Sequence, residues 1–309
     1  MIQTHTFRPV ATVLTLAALM TGPGALHAQQ ITIAHNQGET VLADTPETVL
    51  VTDWAAFDNL DALGIAVAGV PSSNAPGYLA DRVSADAARL GSLQEPDIEG
   101  IVAAAPDLVI IGARSRRSYA TLAPFVPTMD ASISNEDLIA GVEARLTQYG
   151  AIFGVEDRAA ALIANLEAKL DTARAAAADQ GSGLVIITNG GKLGVYGPGS
   201  RVSWIYKDLQ IPSVFDTVDD RDHGGDAISF EYLVETAPDW LFVIDRDAGV
   251  GNTGAARELL DNELLHQTGF WQNDQIVYLD SQAAYVTMHG YQGIMLLLDQ
   301  LIEAFSGTS

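Results

Sequence analysis

Ala105-Pro106-Asp107-Leu108-Val109-Ile110-Ile111-Gly112-Ala113-Arg114 returns later in the chain as Ala237-Pro238-Asp239-Trp240-Leu241-Phe242-Val243-Ile244-Asp245-Arg246. In both copies Ala-Pro-Asp ends a helical stretch, an unbroken apolar run follows, and an Arg stands eight residues after the Pro. Apolar residues at every position of a short run predict parallel strands covered on both faces. An Arg just beyond such a run sits at the carboxyl end of a strand, the edge at which open α/β sheets bind ligands. Two equivalent lobes, each offering an Arg from that edge, predict a cleft that holds an anion between them.

Working outward, each copy is embedded in the same kind of strand–helix cassette. Val49–Thr52 reads as a strand, a helix runs through Leu60 and Leu63, Gly64-Ile65 turns into a strand over Ala66–Val70, and a helix over Ile98–Ala104 feeds Leu108–Ile111. Later, Val185–Thr188 reads as a strand, Trp204–Leu209 as a helix, Ile211-Pro212 as a turn, and Glu231–Thr236 as a helix feeding Leu241–Ile244. The expected fold class is α/β: two doubly wound, Rossmann-like lobes with the ligand cleft between them. Between the lobes, Asp157–Asp179 is rich in Ala, Leu, Glu, Lys and Arg and lacks Gly and Pro, which predicts one long helix. Leu162, Leu166, Leu170 and Ala173 give it a single apolar stripe, and Gln180-Gly181-Ser182-Gly183 ends it. The expected organisation is a first lobe over 29–155, a connecting helix over 156–181 and a second lobe over 182–309. A single stiff crossing predicts a largely preformed cleft.

Residues 1–28 read as a cleavable secretory signal: Arg8, an apolar run from Val10 to Met20, and a small residue at Ala28 before Gln29. The apolar run is too short to span a bilayer. The sequence contains no Cys, so it offers no disulfide, no thiolate metal site and no lipidated anchor after the signal. A free periplasmic protein is expected, as a monomer. The formal net charge of −23 argues against nucleic acid or an anionic membrane as partner. It leaves room for a small anion, since local charge can oppose the global sign.

Arg201 closes the loop Tyr196-Gly197-Pro198-Gly199-Ser200-Arg201, which is expected to follow the strand Val185–Thr188 and face the cleft. That loop is neither G-x-G-x-x-G nor a Walker sequence. Tyr196 at its head and Trp54, just after the strand ending at Thr52, are candidate ligand contacts; core packing is the competing role for Trp54. His223 stands in the glycine-rich loop Arg221-Asp222-His223-Gly224-Gly225-Asp226, and Tyr285 follows the strand Ile276–Leu279. Imidazole and phenolate are both good ligands for ferric iron.

The stretches GKLGVYGPGSR, DHGGDAISFEYLVETAPDWLFVIDRD, QIVYLDSQAAY and GSLQEPDIEGIVAAAPDLVIIGAR closely resemble the ferric-siderophore-binding proteins of ABC importers, in the petrobactin and catecholate group. The resemblance covers nearly the whole chain after the signal. It implies a basic triad holding an anionic iron complex, at Arg114, Arg201 and Arg246, with Arg116 and Arg117 as alternatives at the first position. It also implies that His223 and Tyr285 complete the iron's coordination when the siderophore leaves two sites open. The family's usual Trp-Tyr is here Ala284-Tyr285, and the glycine-rich segment after it is replaced by Val286-Thr287-Met288-His289. The implied partners are a ferric siderophore of catecholate type and an inner-membrane ABC permease. No intrinsic cofactor is expected, because iron arrives as cargo.

Other classes fit less well. A hydrolase needs an activated nucleophile, yet the chain has no G-x-S-x-G, no Cys and no H-E-x-x-H. A receptor for bare zinc would want clustered His or carboxylates rather than Arg. The same fold carrying haem or a corrinoid is the alternative that keeps most of the reading.

Overall fold

The computed structural model describes residues 30–215 and 225–307. The signal (1–28) and the loop position His223 lie outside them. A short antiparallel hairpin, β1 (Ile31–His35) and β2 (Gly38–Leu42), comes first and leads into two five-stranded sheets.

The first sheet contains β3 (Val49–Val51), β4 (Gly69–Val70), β5 (Ala88–Arg89), β6 (Leu108–Ile111) and β7 (Thr128–Asp130). Its order is β5-β4-β3-β6-β7 and every pairing is parallel. The second contains β8 (Gly183–Asn189), β9 (Lys192–Tyr196), β10 (Asp226–Ile228), β11 (Trp240–Asp245) and β12 (Ile276–Tyr278). Its order is β10-β9-β8-β11-β12, with β8, β11 and β12 parallel and β9 antiparallel to both of its neighbours.

The apolar runs of the duplicated motif are explained by packing. Leu108 and Ile110 of β6 enter the largest apolar cluster, while Val109 and Ile111 face a second one with Leu50 and Leu122. In β11, Phe242 and Ile244 join the large cluster and Leu241 and Val243 a third, with Leu184 and Ile186 of β8. Each strand is therefore buried on both faces, as a doubly wound lobe requires.

The order of strands also places the ligand edge. The first sheet reverses direction of growth between β3 and β6, and the second between β8 and β11. Crevices open beyond the carboxyl ends of strands at such switch points. Thr52, Asp53 and Gly112–Arg114 lie there in the first lobe; Asn189 and Asp245-Arg246 lie there in the second.

The connector is the 22-residue helix Glu156–Ala177, about 33 Å long at 1.5 Å per residue. It buries Ala159, Leu166, Leu170, Ala173 and Ala177. It packs between the helices Leu138–Phe153 and Tyr291–Phe305. The large apolar cluster runs unbroken through it, from Val51, Leu60 and Leu63 to Val185, Phe242 and Leu297. The lobes thus share a core as well as a covalent crossing.

One expectation about the second lobe is corrected. Tyr196 ends a strand, Lys192–Tyr196, rather than heading a loop that follows Val185–Thr188. Asn189-Gly190-Gly191-Lys192 is its hairpin turn, with Gly190 and Gly191 at φ +55° and +79°. Positive φ at both central positions is the two-residue turn whose twist matches a hairpin, and glycine accepts it without strain. The Gly197–Arg201 loop consequently follows β9, not β8.

Candidate functional site

Arg114, Arg201 and Arg246 meet around one ring. Their guanidinium carbons lie 5.7, 5.1 and 5.7 Å from the centre of the Tyr285 ring. Arg246 Nε donates to the Tyr285 hydroxyl at 3.1 Å, and its Nη1 to Asn189 Oδ1 at 3.3 Å. Arg114 donates to the main-chain oxygens of Tyr285 and Val286, at 2.6 and 3.1 Å. Guanidinium over an aromatic face is attractive and orients both partners.

Local structure explains how each Arg arrives there. β6 ends at Ile111, and Gly112 must be glycine because a Cβ would come within 2.4 Å of the Asp53 carboxyl group. Asp53 caps the helix Trp54–Leu63 by accepting from Ala55 N and Ala56 N. Burial raises the pKa of its carboxyl, against the pull of the Arg114 guanidinium and those two amides. Burial and Arg201 act together to lower the Arg114 pKa, while Asp53 and Tyr285 favour its charge. In the second lobe Asp245 caps the short helix Arg246–Gly249, so the chain turns sharply as β11 ends and Arg246 projects at the switch point. Gly249 permits the close approach of the helix Ser281–Tyr285, since a Cβ there would lie 2.8 Å from Ser281 O.

A cavity of about 290 Å³ opens beside these groups. The first lobe lines it with Ser73, Asn74, Ser92, Gln94 and Arg114, and the second with Arg246, Val250, Gln282 and Tyr285. Among the described residues no carboxylate lines it, although the chain carries 39 Asp and Glu against 16 Lys and Arg. The charged side chains of its described lining are Arg114 and Arg246, which suits an anion.

His289 adds a further group. Its Nε2 lies 3.3 Å from Asn135 Oδ1. Burial, with Arg201, Arg114 and Arg145 nearby, drives the imidazole pKa down to about 3, so it is neutral. Among the described residues no group of three His, Asp or Glu gathers as a metal site. No described helix is long and apolar enough to cross a membrane.

The structure brings together Arg114, Arg201, Arg246 and Tyr285 of the residues singled out from sequence. Arg116 and Arg117 are exposed and are not the residues that reach Tyr285. Trp54 and Tyr196 do not line the cavity. Trp54 is 0 % exposed, packed edge-on against Phe57 in the core, with its indole N–H on Ser73 Oγ at 2.9 Å. It stands behind the wall rather than in it. Tyr196 is 1 % exposed and lies on the antiparallel strand β9, opposite Val185, where its side chain joins the core. The hairpin that sequence reading overlooked is what turns Tyr196 inward.

Sequence reading also missed the neutral polar wall. Ser73 and Asn74 follow β4, Ser92 and Gln94 follow β5, and Gln282 follows β12. All stand beyond carboxyl ends of parallel strands, so the rule that found the Arg residues would have found them.

Comparison with known proteins places this geometry. A family profile described as periplasmic binding protein matches residues 49–283. The petrobactin-binding protein YclQ of Bacillus subtilis (strain 168) is 30 % identical over 278 residues, covering 88 % of this chain and 87 % of its own. Its crystal structure superimposes with a TM-score of 0.85 at 29 % identity, over 90 % of this chain and 99 % of that one. The ferric-anguibactin-binding protein FatB of Vibrio anguillarum is 29 % identical over 282 residues, 89 % of this chain and 87 % of its own. The crystal structure of the periplasmic catecholate-siderophore binding protein VctP from Vibrio cholerae gives a TM-score of 0.82 at 30 % identity, over 90 % of this chain and all of that one.

Proposed function

The chain belongs to the periplasmic binding protein family, and from that premise we propose that it captures a ferric siderophore of catecholate type between its lobes. It delivers the complex to an ABC permease for iron uptake. It acts in the periplasm as a monomer released from its signal, and it is a carrier rather than an enzyme. Similarity to receptors for petrobactin, anguibactin and catecholate siderophores supports the ligand class.

The observation that carries the reading is the ring of three guanidiniums around Tyr285, drawn from both lobes, beside a cavity to whose described lining Arg114 and Arg246 contribute charge and no carboxylate does. A ferric catecholate is anionic and presents flat rings edged with oxygen. Guanidinium stays charged, stacks on rings and donates to oxygens in a fixed fork. At an effective dielectric near 20, one charge pair at about 4 Å is worth on the order of 4 kcal/mol before desolvation.

Tyr285 and His223 are the groups proposed to reach iron directly when the siderophore leaves coordination sites open. Ferric charge strongly favours phenolate over phenol, and a tyrosinate–iron bond gives a visible charge-transfer band. Titration with ferric bis-catecholate and ferric tris-catecholate complexes, followed by quenching of Trp fluorescence, tests the ligand class. Both complexes are expected to bind. Tyr285→Phe is expected to weaken the bis-catecholate far more than the iron-saturated tris-catecholate. Binding of haem or a corrinoid in preference to either complex would overturn the ligand class. Equal losses for both complexes in Tyr285→Phe would remove iron contact from that residue.

A further inference from the structure

The stretch from Gln282 to Gly293 belongs to the second lobe by sequence, yet it is bonded along its length to the first. Gly77 N donates to Gln282 Oε1 at 2.7 Å. Arg114 holds the carbonyls of Tyr285 and Val286. The Tyr78 hydroxyl lies 2.6 Å from Thr287 Oγ1. Asn59 donates to His289 O at 3.1 Å and accepts from Tyr291 N at 2.8 Å. Gln292 Nε2 reaches Asp58 O and Asp61 Oδ2.

Asp58 holds the far end of this strap, at Gln292 and Gly293. It is 0 % exposed. Its Oδ1 accepts from Gln292 N at 2.7 Å, and its Oδ2 from Gly293 N at 3.0 Å and from the Tyr78 hydroxyl at 2.7 Å. The first amides of the helix Tyr291–Phe305 would otherwise lack partners, and an acid from the other lobe supplies them. Gly290 lies so close that a Cβ there would stand 2.6 Å from Asp58 Cγ. Burying a carboxyl group is costly unless its oxygens are satisfied, and here burial drives its pKa up to about 7. Asp58 does not line the ligand cavity. Its bonds go to the strap, and to Tyr78, which itself reaches the strap.

We propose that Asp58 is a positioning residue for the ligand cleft: it fastens the Gln282–Gly293 strap to the first lobe and so sets Tyr285 among Arg114, Arg201 and Arg246. The ring around which the guanidiniums gather is thereby carried on a segment fixed by one lobe, while Arg201 and Arg246 approach it from the other. For its ligand-binding consequence the inference rests on the siderophore reading of that cleft. The fastening itself is a property of the empty protein.

Two arms test it. In the ligand-free protein, Asp58→Asn puts an amide N–H among backbone N–H donors, and Tyr78→Phe removes a single donor. Either change is expected to speed hydrogen exchange of the 285–293 amides by about tenfold, the scale of one hydrogen bond to a charged group. Amides of β8 and β11 should be unchanged, and the ring resonance of Tyr285 should shift in tyrosine-labelled protein. Unaltered exchange and an unaltered Tyr285 resonance in both variants would overturn the proposal. The second arm measures affinity for a synthetic ferric bis-catecholamide in Asp58→Asn, Tyr285→Phe and the double variant. If Asp58 acts through Tyr285, the double variant binds no worse than Tyr285→Phe alone; additive losses overturn the assignment. Should the wild-type protein fail to bind the complex, the siderophore reading falls while the exchange arm still decides the fastening. If Asp58→Asn does not fold, Tyr78→Phe carries both arms.

Discussion

Replacing Gly290 with Ala isolates the fastening in one methyl group. Gly290 has φ −93° and ψ 135°, a conformation that Ala adopts freely, so backbone strain does not enter. The added Cβ would stand 2.6 Å from Asp58 Cγ and Oδ2 and 2.8 Å from Asp58 Cβ. No flexible end can swing aside, because the carboxylate is pinned on both oxygens by Gln292 N, Gly293 N and Tyr78. Overpacking a filled interior costs about 1–3 kcal/mol. Displacing Asp58 weakens bonds to a charged acceptor, each worth about 1.5–3 kcal/mol, and the two losses overlap because moving Asp58 relieves the clash. Against this, Ala restricts the unfolded chain and returns about 0.4–1 kcal/mol. The net expectation is a destabilisation of about 2–4 kcal/mol. For a chain of this size that is a drop in Tm of about 3–7 °C.

Gly269→Ala is the matched control. A Cβ at Gly269 meets nothing within 4 Å, and the residue opens a short helix, Gly269–Gln272. That variant should be neutral or slightly more stable. Urea unfolding followed by Trp fluorescence gives both numbers on one scale. Equal stability of Gly290→Ala and wild type would refute the steric argument, as would an equal loss in Gly269→Ala.

Two further outcomes follow from the same groups. Asp58 is raised from 3.8 to about 7 on folding, so the folded state binds its proton more tightly; this contribution to stability is full below pH 4, falls as pH rises towards 7, and is flat above, by about 4 kcal/mol in all. The fastening survives protonation, because the acid can give its proton to Tyr78 and the Tyr78 proton can turn to Thr287; the stability of wild type minus that of Asp58→Asn, measured from pH 4 to 8, should fall along this curve, and a difference independent of pH would contradict it. Arg246→Gln should weaken binding of a ferric catecholate about 10- to 100-fold, the range for a charge-assisted hydrogen bond, and Arg246→Lys should recover little of it, since a point charge cannot hold Tyr285 and Asn189 in one fork; full recovery by Lys, read by fluorescence titration, would show that charge alone suffices.

The fold was legible where burial on two faces leaves a mark on composition. Leu108–Ile111 and Leu241–Ile244 had to be apolar at every position because each strand feeds two clusters. The helix Glu156–Ala177 was legible from propensity and its buried stripe. What escaped was the antiparallel part. Asn189-Gly190-Gly191-Lys192 is a hairpin turn, and the strand it opens, Lys192–Tyr196, ends at the residue that the sequence reading puts at the head of a loop. That one misreading pointed Tyr196 at the ligand when the pairing with β8 turns it into the core. Trp54 failed differently: its place after a strand end is right, but as the first residue of a helix capped by Asp53 its ring is buried against Phe57 of the same helix.

The charged half of the site was legible because Arg after an apolar strand is rare and the rule for strand ends is strong. The half that positions it was not. Asp58, Asn59 and Tyr78 meet Thr287, His289 and Gln292 across more than 200 residues of sequence. In isolation Asp58-Asn59 is an ordinary polar pair within a helix, and nothing local says that it is buried. Its burial follows from two facts that exist only in three dimensions. The connecting helix lays the helix Tyr291–Phe305 against the first lobe, and the first turn of that helix brings amides that need acceptors. A buried acid on the facing helix meets the need, and a glycine at 290 leaves room for it. The expectation of a cleft held by a single rigid crossing was therefore incomplete in a specific way. Besides the covalent crossing and the shared core, the lobes are joined by the bonds of the Gln282–Gly293 strap, and Asp58 fastens that strap, which carries Tyr285 to the three Arg.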